Sequence, residues 1–291
     1  MTNIRFTSTA AALFLALSAP SAYAACADAP TETRSRARSD ADAVRDLLSM
    51  ADQALAQGQA GEACVKYRLV LGLERDNTAA RIGLGEGALI EGRYQGAQAH
   101  FEAVAAAEPA NARAQQGLGL SHLLAGDFAS AEPALRQAVA ADASLWRSWN
   151  GLGVIADSRA DWTAADQAFQ AAIAAAPGEA SIRNNLGISR MQRGQPQTAI
   201  EAFDAALALR PTLRAAVENR RVALAMTGRY DAALAGVSES ELAAALNNVA
   251  VIAARRGDRA VADRLFAAAV TASPRYYELA ARNRGALTGA R

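Results

Sequence analysis

Residues 146–179 read WRSWNGLGVIADSRADWTAADQAFQAAIAAAPGE, and this stretch decides the fold. Apolar side chains recur in each half of it at the spacing of one face of a helix. A proline near its end is incompatible with a continuing helix, because the residue before a proline avoids helical backbone angles. The residues that mark the pattern are Trp149, Leu152, Gly153, Ala165, Phe169, Ala172 and Pro177.

The same pattern recurs along the chain with a fixed period. Leucine-glycine pairs begin at residues 84, 118, 152 and 186, and a large apolar residue follows in the second half of each unit. Glycine also recurs at the centre of the unit, where it suits the left-handed backbone that ends a helix. These central residues are Gly58, Gly92, Gly126, Gly194 and Gly228, with Ala160 at the missing step. Such a 34-residue period predicts stacked units of two helices each.

The period also sets the boundaries of the units. Five units follow one another without an insertion, at residues 44–77, 78–111, 112–145, 146–179 and 180–213. The next unit, 214–242, is five residues short, and Arg220 and Arg221 stand in place of its leucine and glycine. The pattern recovers in residues 243–276, where Pro274 is expected to close the unit, and residues 277–291 are expected to form a capping helix and tail.

The marker residues resemble those of the tetratricopeptide repeat, W-x2-L-G-x2-Y followed by A-x3-F-x2-A and a proline, all within one period. The resemblance extends over nearly all of the chain after residue 43. It implies an all-α solenoid, a right-handed superhelix of helix-turn-helix repeats with a C-terminal capping helix. In such a fold the small residues let neighbouring helices approach closely, and the large aromatic residue fills the gap beside them.

Composition narrows the class of function. The chain has 30 basic and 29 acidic residues, and this balance argues against a nucleic-acid binder that depends on phosphate contacts. Hydrophobic residues make up 52% of the chain, which excludes general disorder. Two cysteines and two histidines are too few for a zinc module. We therefore expect no metal and no cofactor.

Sequence motifs for catalysis are missing as well. The glycines at 83, 85 and 87 resemble a fragment of a phosphate-binding loop, but Gly83 and Gly85 recur with the 34-residue period, so they belong to the scaffold. His122 falls in a first helix, where a packing role is favoured because no second histidine supports acid–base chemistry. The sequence therefore predicts a protein that is not an enzyme.

Residues 1–24, MTNIRFTSTAAALFLALSAPSAYA, have the pattern of an export signal. Arg5 precedes a short apolar stretch, and Ala22-Tyr23-Ala24 is a cleavage site of the A-x-A kind. The sequence predicts an exported protein, in the periplasm or at the periplasmic face of the outer membrane. The polar residues 25–43 are expected to be a flexible leader.

Cys26, which closely follows the cleavage site, has three open fates. Ala25-Cys26 resembles the end of a bacterial lipobox, in which the cysteine is acylated after cleavage, although Tyr23 stands where lipoboxes favour leucine. The second fate is plain cleavage after Ala24. The third is a disulfide with Cys64, which an oxidising compartment would permit.

The tetratricopeptide resemblance also implies a peptide-binding groove. In that family the groove is lined by the second, fifth, ninth and twelfth residues of each unit. The polar and charged candidates, with one methionine, are Arg113, Gln116, Arg147, Asn150, Asp157, Ser181, Asn184, Met191, Glu218 and Asn247. The apolar candidates are Leu120, Leu123, Val154, Ile188 and Val222. The asparagines either bond a peptide backbone or simply suit this helix surface.

A narrower resemblance bears on the partner. An exported, alanine-rich tetratricopeptide chain with a shortened penultimate unit and closing segments at 246–249 and 273–277 resembles the TadD-type pilus assembly proteins. That family implies an accessory factor of the tight-adherence (Flp) pilus secretion machine, one that assists its secretin or other assembly components. The alternatives are another envelope adaptor, for outer-membrane biogenesis, cell division or cytochrome maturation, and an enzyme-regulating subunit.

Overall fold

The computed structural model describes residues 37–289, and all regular secondary structure in that range is helical, which confirms the predicted all-α class. Consecutive helices pack against each other in pairs. The fifteen helices of this range are α1 (Ala37–Ala56), α2 (Ala60–Leu73), α3 (Thr78–Ile90), α4 (Tyr94–Ala107), α5 (Ala112–Leu124), α6 (Phe128–Ala141), α7 (Trp146–Ser158), α8 (Trp162–Ala175), α9 (Ala180–Gln192), α10 (Pro196–Leu209), α11 (Arg214–Met226), α12 (Tyr230–Leu234), α13 (Glu239–Arg256), α14 (Arg259–Ala272) and α15 (Pro274–Gly289).

The 34-residue period is visible in the helix bounds. Five first helices, α3, α5, α7, α9 and α11, have 13 residues each, and they begin at the residues with which the predicted units begin. The second helices α2, α4, α6, α8, α10 and α14 have 14 residues each. Helix α10 ends at Leu209, so Pro211 ends it as predicted.

The turn between the two helices of a unit needs a left-handed residue. Glycine supplies it in most units, with φ between 71° and 89° at Gly194, Gly257 and the equivalent positions. Ala160 holds the same place in residues 146–179, at φ 57°, and is the one non-glycine residue with positive φ in the described range. An alanine there strains the backbone, because its Cβ crowds the following carbonyl oxygen.

The helices of a unit approach closely because glycine faces an aromatic ring. The ring of Phe101 is fully buried between Gly85 of its own unit and Gly117 of the next. A Cβ on Gly85 would lie 2.6 Å from that ring, and a Cβ on Gly153 would lie 2.7 Å from the ring of Phe169. Both distances are shorter than real Cβ contacts, so only glycine permits this packing.

Both ends of the array differ from the prediction. Helix α1 begins at Ala37, inside the residues 25–43 that were expected to be a flexible leader. The helix extends that far because its first turn carries Asp40, whose charge suits a helix N-terminus. Helix α14 ends at Ala272, so Pro274 closes that unit as expected, but α15 already begins at Pro274, ahead of the predicted start at 277. Proline suits the first position of a helix because no bond to its missing N–H is needed.

The short unit loses its length from the second helix. Helix α12 has five residues, whereas the next first helix, α13, has 18. Helix α13 begins at Glu239, ahead of the predicted unit start at 243. The unit 214–242 is therefore short because its second helix, α12, and the turn after it are short.

The chain divides into two compact units, with the boundary between Pro177 and Gly178. Each has its own buried apolar clusters, around residues such as Tyr67 and Leu135 in the first and Phe203 and Phe266 in the second. Within residues 37–289, no helix combines the length and apolar character that a membrane span requires. The predicted signal segment and Cys26 lie outside the described residues.

Candidate binding surface

One row of first-helix residues recurs at the ninth place of each unit, and we call it the ninth-position row. In the first compact unit it comprises Asp52, Glu86, Leu120 and Val154, each one repeat period from the next. In the second compact unit it comprises Ile188, Val222 and Val251. The row is acidic in α1 and α3 and aliphatic in every later first helix that carries it.

The aliphatic members after the buried Leu120 are only partly covered by their own units. Val154 is half-buried against the cluster around Leu120 and Leu152. Ile188 and Val251 are half-buried beside the clusters of the second compact unit. Each therefore keeps part of its apolar side chain in contact with solvent. Covering that surface with a partner's apolar side chain would stabilise a complex.

The acidic end of the row is organised by hydrogen bonds between neighbouring helices. The hydroxyl of the buried Tyr67 donates to a carboxylate oxygen of Asp52 at 2.5 Å. Burial is the largest cause that raises the pKa of Tyr67, and the bond to Asp52 raises it further, so the hydroxyl stays protonated. Arg113 donates to Glu86 at 3.0 Å. Asp52 is exposed and forms no ion pair within the described residues, so its negative charge is available to a partner.

Three of the predicted groove residues in the first compact unit lie near the helix starts. Arg113 donates to Glu86 and its side chain is largely exposed. Partial desolvation lowers the pKa of Arg113, but the charge and hydrogen bond of Glu86, together with the charge of Asp52, raise it by more, so the net shift is upward. Gln116 accepts a hydrogen bond from the hydroxyl of Ser148 at 3.2 Å. Arg147 is exposed, and its guanidinium carbon lies 5.5 Å from the centroid of the Trp146 ring.

Two of the three predicted asparagines form contacts between helices. Asn150, Asn184 and Asn247 are buried. The side-chain oxygen of Asn184 accepts from Asn219 at 3.0 Å, and that of Asn247 accepts from Asn283 at 3.0 Å. The oxygens of Asn184 and Asn247 therefore join neighbouring helices, and a bond from these side chains to a peptide backbone stays a prediction.

The other polar candidates for the groove are covered to different degrees. Ser181 is buried, and Asp157, near the end of α7, is half-buried. Met191 is half-buried beside an apolar cluster of the second compact unit. Glu218, also half-buried, accepts two bonds from Arg221, both of 2.7 Å. The charge of Glu218 is therefore matched within its own helix, and little of it is left for a ligand.

Two surface residues were missed from the sequence, Asp52 and Glu86. The period could have predicted both, because Asp52 lies two periods before Leu120 and Glu86 lies one period before it. The bonds to Asn219 and Asn283 had no comparable signal, because the period does not show which side chains of one helix face the next.

The ninth-position row offers apolar contacts and, at its start, acidic ones. Within residues 37–289, no three histidine, cysteine, aspartate or glutamate side chains are placed to hold a metal ion. Cys64 is buried, and its sulfur lies 2.8 Å from the position of a Cβ on Gly87. In both compact units the first helices repeat aliphatic side chains at this place, and in the first unit they follow an acidic end; this is the arrangement of a helical-repeat scaffold.

Comparison with known proteins gives the family. Two family models, both described as tetratricopeptide repeat, match residues 88–152 for one, and 150–214 and 184–245 for the other. Together they span residues 88–245, more than half of the chain. The chain belongs to the tetratricopeptide repeat family, whose members act as protein–protein interaction scaffolds and are generally non-catalytic.

Solved structures share the fold. A chain of the APC/C hetero-tetramer Cut9–Hcn1 is 17% identical, with a TM-score of 0.61, over 84% of this chain and 52% of that one. A thermophilic tetratricopeptide repeat protein of Thermus thermophilus is 17% identical, with a TM-score of 0.55, over 66% of this chain and 98% of its own. A tetratricopeptide repeat protein from Parabacteroides merdae is 14% identical, with a TM-score of 0.53, over 85% and 100% of the two chains. No curated protein matches the chain.

Proposed function

We propose that this protein is a non-enzymatic scaffold of the bacterial cell envelope that holds a segment of a partner protein against the part of the ninth-position row in the first compact unit, as an accessory factor in the assembly of the Flp pilus. The observation that carries the binding role is the recurrence of half-buried aliphatic residues, Val154 in one compact unit and Ile188 and Val251 in the other. The pilus role is supported by the layout shared with TadD-type proteins, including the short unit 214–242.

The chemistry of the row defines the partner segment. Its aliphatic members fit apolar side chains, and Asp52 fits a basic side chain at the other end of the first compact unit. The only lysine of the chain is Lys66, on a second helix and bonded to Glu62. The row therefore carries no lysine to bind the acidic C-terminal tail of a partner. The preferred segment is apolar with a basic residue.

Export is part of the proposal and has its own test. The sequence of residues 1–24 supports removal of a signal peptide, and Cys26 supports a lipid anchor. Mass spectrometry of the mature N-terminus from bacterial envelopes separates the two routes: an acylated Cys26 shows the anchor, and an unmodified chain beginning at Ala25 shows plain cleavage. A protein that keeps residues 1–24 would contradict export by this route.

The pilus role is tested by deletion and complementation. We expect a deletion strain to lose its surface Flp pili without a change in growth, and the wild-type gene to restore them. A gene carrying Val154→Asp should fail to restore them, because a carboxylate would replace an apolar contact of the row. The matched control is Ala174→Asp, which places the same charge on an exposed position of α8 in the same repeat.

Circular dichroism of both purified variants checks that they keep the wild-type helix content. Normal piliation in the deletion strain would contradict the pilus role. Equal complementation by the two variants, in a strain whose pili do depend on the gene, would contradict binding at the row and leave the surface to be sought elsewhere.

A further inference from the structure

Helix α2 has an exposed apolar stripe on its outer side. Val65, Leu69 and Leu73 are 47%, 54% and 48% exposed. Each follows the previous one at the i, i+4 spacing, so they lie along one side of the helix. Large apolar side chains at such exposure, in line on one helix, are typical of a surface that another molecule covers.

The repeat itself does not require this stripe. At the same three positions α4 carries Ala99, Ala103 and Ala107, and α8 carries Gln167, Ala171 and Ala175. These helices pack their inner sides in the same way, with Phe101 and Phe169 fully buried as Tyr67 is in α2. The large side chains of α2 therefore contribute little to the fold of their own unit.

Opposite charges flank the stripe at its two ends. Glu62 lies at the start of α2, exposed and bonded to Lys66. Arg75 follows the end of the helix, exposed, and its guanidinium forms no hydrogen bond or ion pair within the described residues. Its two acidic neighbours are already engaged, Glu74 by Asn77 at 2.6 Å and Asp76 by Arg81 at 3.0 Å.

We propose that α2 packs antiparallel against α2 of a second copy of this chain, in a symmetric dimer. The midpoint between residues 62 and 75 falls within one residue of Leu69, the centre of the stripe. A twofold axis at Leu69 therefore sets Val65 against Leu73 of the second copy, and it brings Glu62 within one residue of the position opposite Arg75 of that copy, twice over. The near balance of 30 basic and 29 acidic residues means that the two copies carry no large net charge to repel each other.

The first experiment measures the mass of the purified mature chain in solution over a concentration series. We expect the wild type to have twice the chain mass, and Leu69→Asp to have the mass of one chain with unchanged helix content. The matched control, Ala103→Asp, puts the same charge at the equivalent exposed position of α4 and should remain a dimer.

The second experiment exchanges the flanking charges. Glu62→Arg alone and Arg75→Glu alone should each weaken dimerisation by roughly three- to tenfold, because like charges then face each other across the axis. The double variant, Glu62→Arg with Arg75→Glu, should recover most of the loss, since it rebuilds both pairs in the opposite sense. A purely structural role of either residue would not give this recovery.

A wild type that is monomeric throughout the concentration series would overturn the dimer. So would equal behaviour of Leu69→Asp and Ala103→Asp, or a double variant weaker than either single one. If the wild type stays monomeric and Leu69→Asp instead lowers binding to vesicles of bacterial phospholipid, the stripe is a membrane contact and the proposal is wrong.

Discussion

Residues 180–213 and 214–242 are consecutive units of one compact body, but different side chains fill the contact between the two helices of each unit. In the first, Gly187 of α9 lies against the ring of the fully buried Phe203, with no room for a Cβ between them. In the second, Arg221 stands at the place of Gly187, and α12 ends at Leu234 before it reaches the place of the aromatic residue, which is Val237.

The guanidinium of Arg221 replaces part of the contact between the two helices that Gly187 and Phe203 make in the regular unit. The side chain of Arg221 is only 10% exposed. Its Nε donates to the carbonyl oxygen of Ala233 at 3.1 Å, and one terminal nitrogen donates to both oxygens of Glu218. In this unit the glycine and the aromatic ring are therefore lost together.

The largest effect is expected from removing the ring of the regular unit. Phe203→Ala should lower the free energy of unfolding by about 3–5 kcal/mol, because it leaves a cavity against Gly187. Val237→Ala, at the same place of the short unit, should cost less than about 1.5 kcal/mol, since only two methyl groups of a half-buried side chain are lost. Urea titrations followed by circular dichroism compare the two; equal losses would show that the short unit packs like the regular one.

The next effect tests whether glycine alone restores the repeat. Arg221→Gly should lower stability by about 2–3 kcal/mol, because it removes the bond to Ala233 and places a glycine inside a helix. The control is Arg220→Gly, which carries the same helix penalty but loses only a surface ion pair with Asp204. If Arg221→Gly were the less harmful of the two by urea denaturation, the guanidinium would not be replacing the missing contact.

A smaller loss is expected from overfilling the regular unit. Gly187→Leu should cost about 1–2 kcal/mol, since the new side chain collides with Phe203 while leucine improves the helix propensity. Gly178→Leu enters open space and should stay within about 0.5 kcal/mol of the wild type. Thermal unfolding of both proteins checks the difference, and a Gly187→Leu protein that melts like the wild type would refute the close approach.

The smallest effect concerns the strained turn. Ala160→Gly should raise the free energy of unfolding by up to about 1 kcal/mol, because glycine adopts φ 57° without the clash of a Cβ. The reverse change, Gly194→Ala at the same turn of the next unit, should lower it by a similar amount. Urea midpoints of the two variants measure both changes. If the two midpoints moved in the same direction, backbone strain would not be the cause.

The repeat was predictable because its signals are local and periodic. Gly85, Phe101 and Pro211 each have a role that spacing alone reveals, and the structure gives each the packing or helix-ending role expected. The positions of Asn184 and Asn247 were not predictable, because the sequence does not show whether a polar side chain on a first helix faces solvent or the neighbouring helix. The start of α1 was missed for a related reason: polar residues also form helices when later residues such as Val44 anchor them in a core.

The tryptophans give the molecule a built-in local probe. All three, Trp146, Trp149 and Trp162, belong to residues 146–179, in the first compact unit. Their fluorescence therefore follows the unfolding of a single repeat, whereas circular dichroism follows every helix at once. Superimposable curves from the two signals would mean that the whole array unfolds in one cooperative step, and separated curves would measure how weakly one part of the array depends on another.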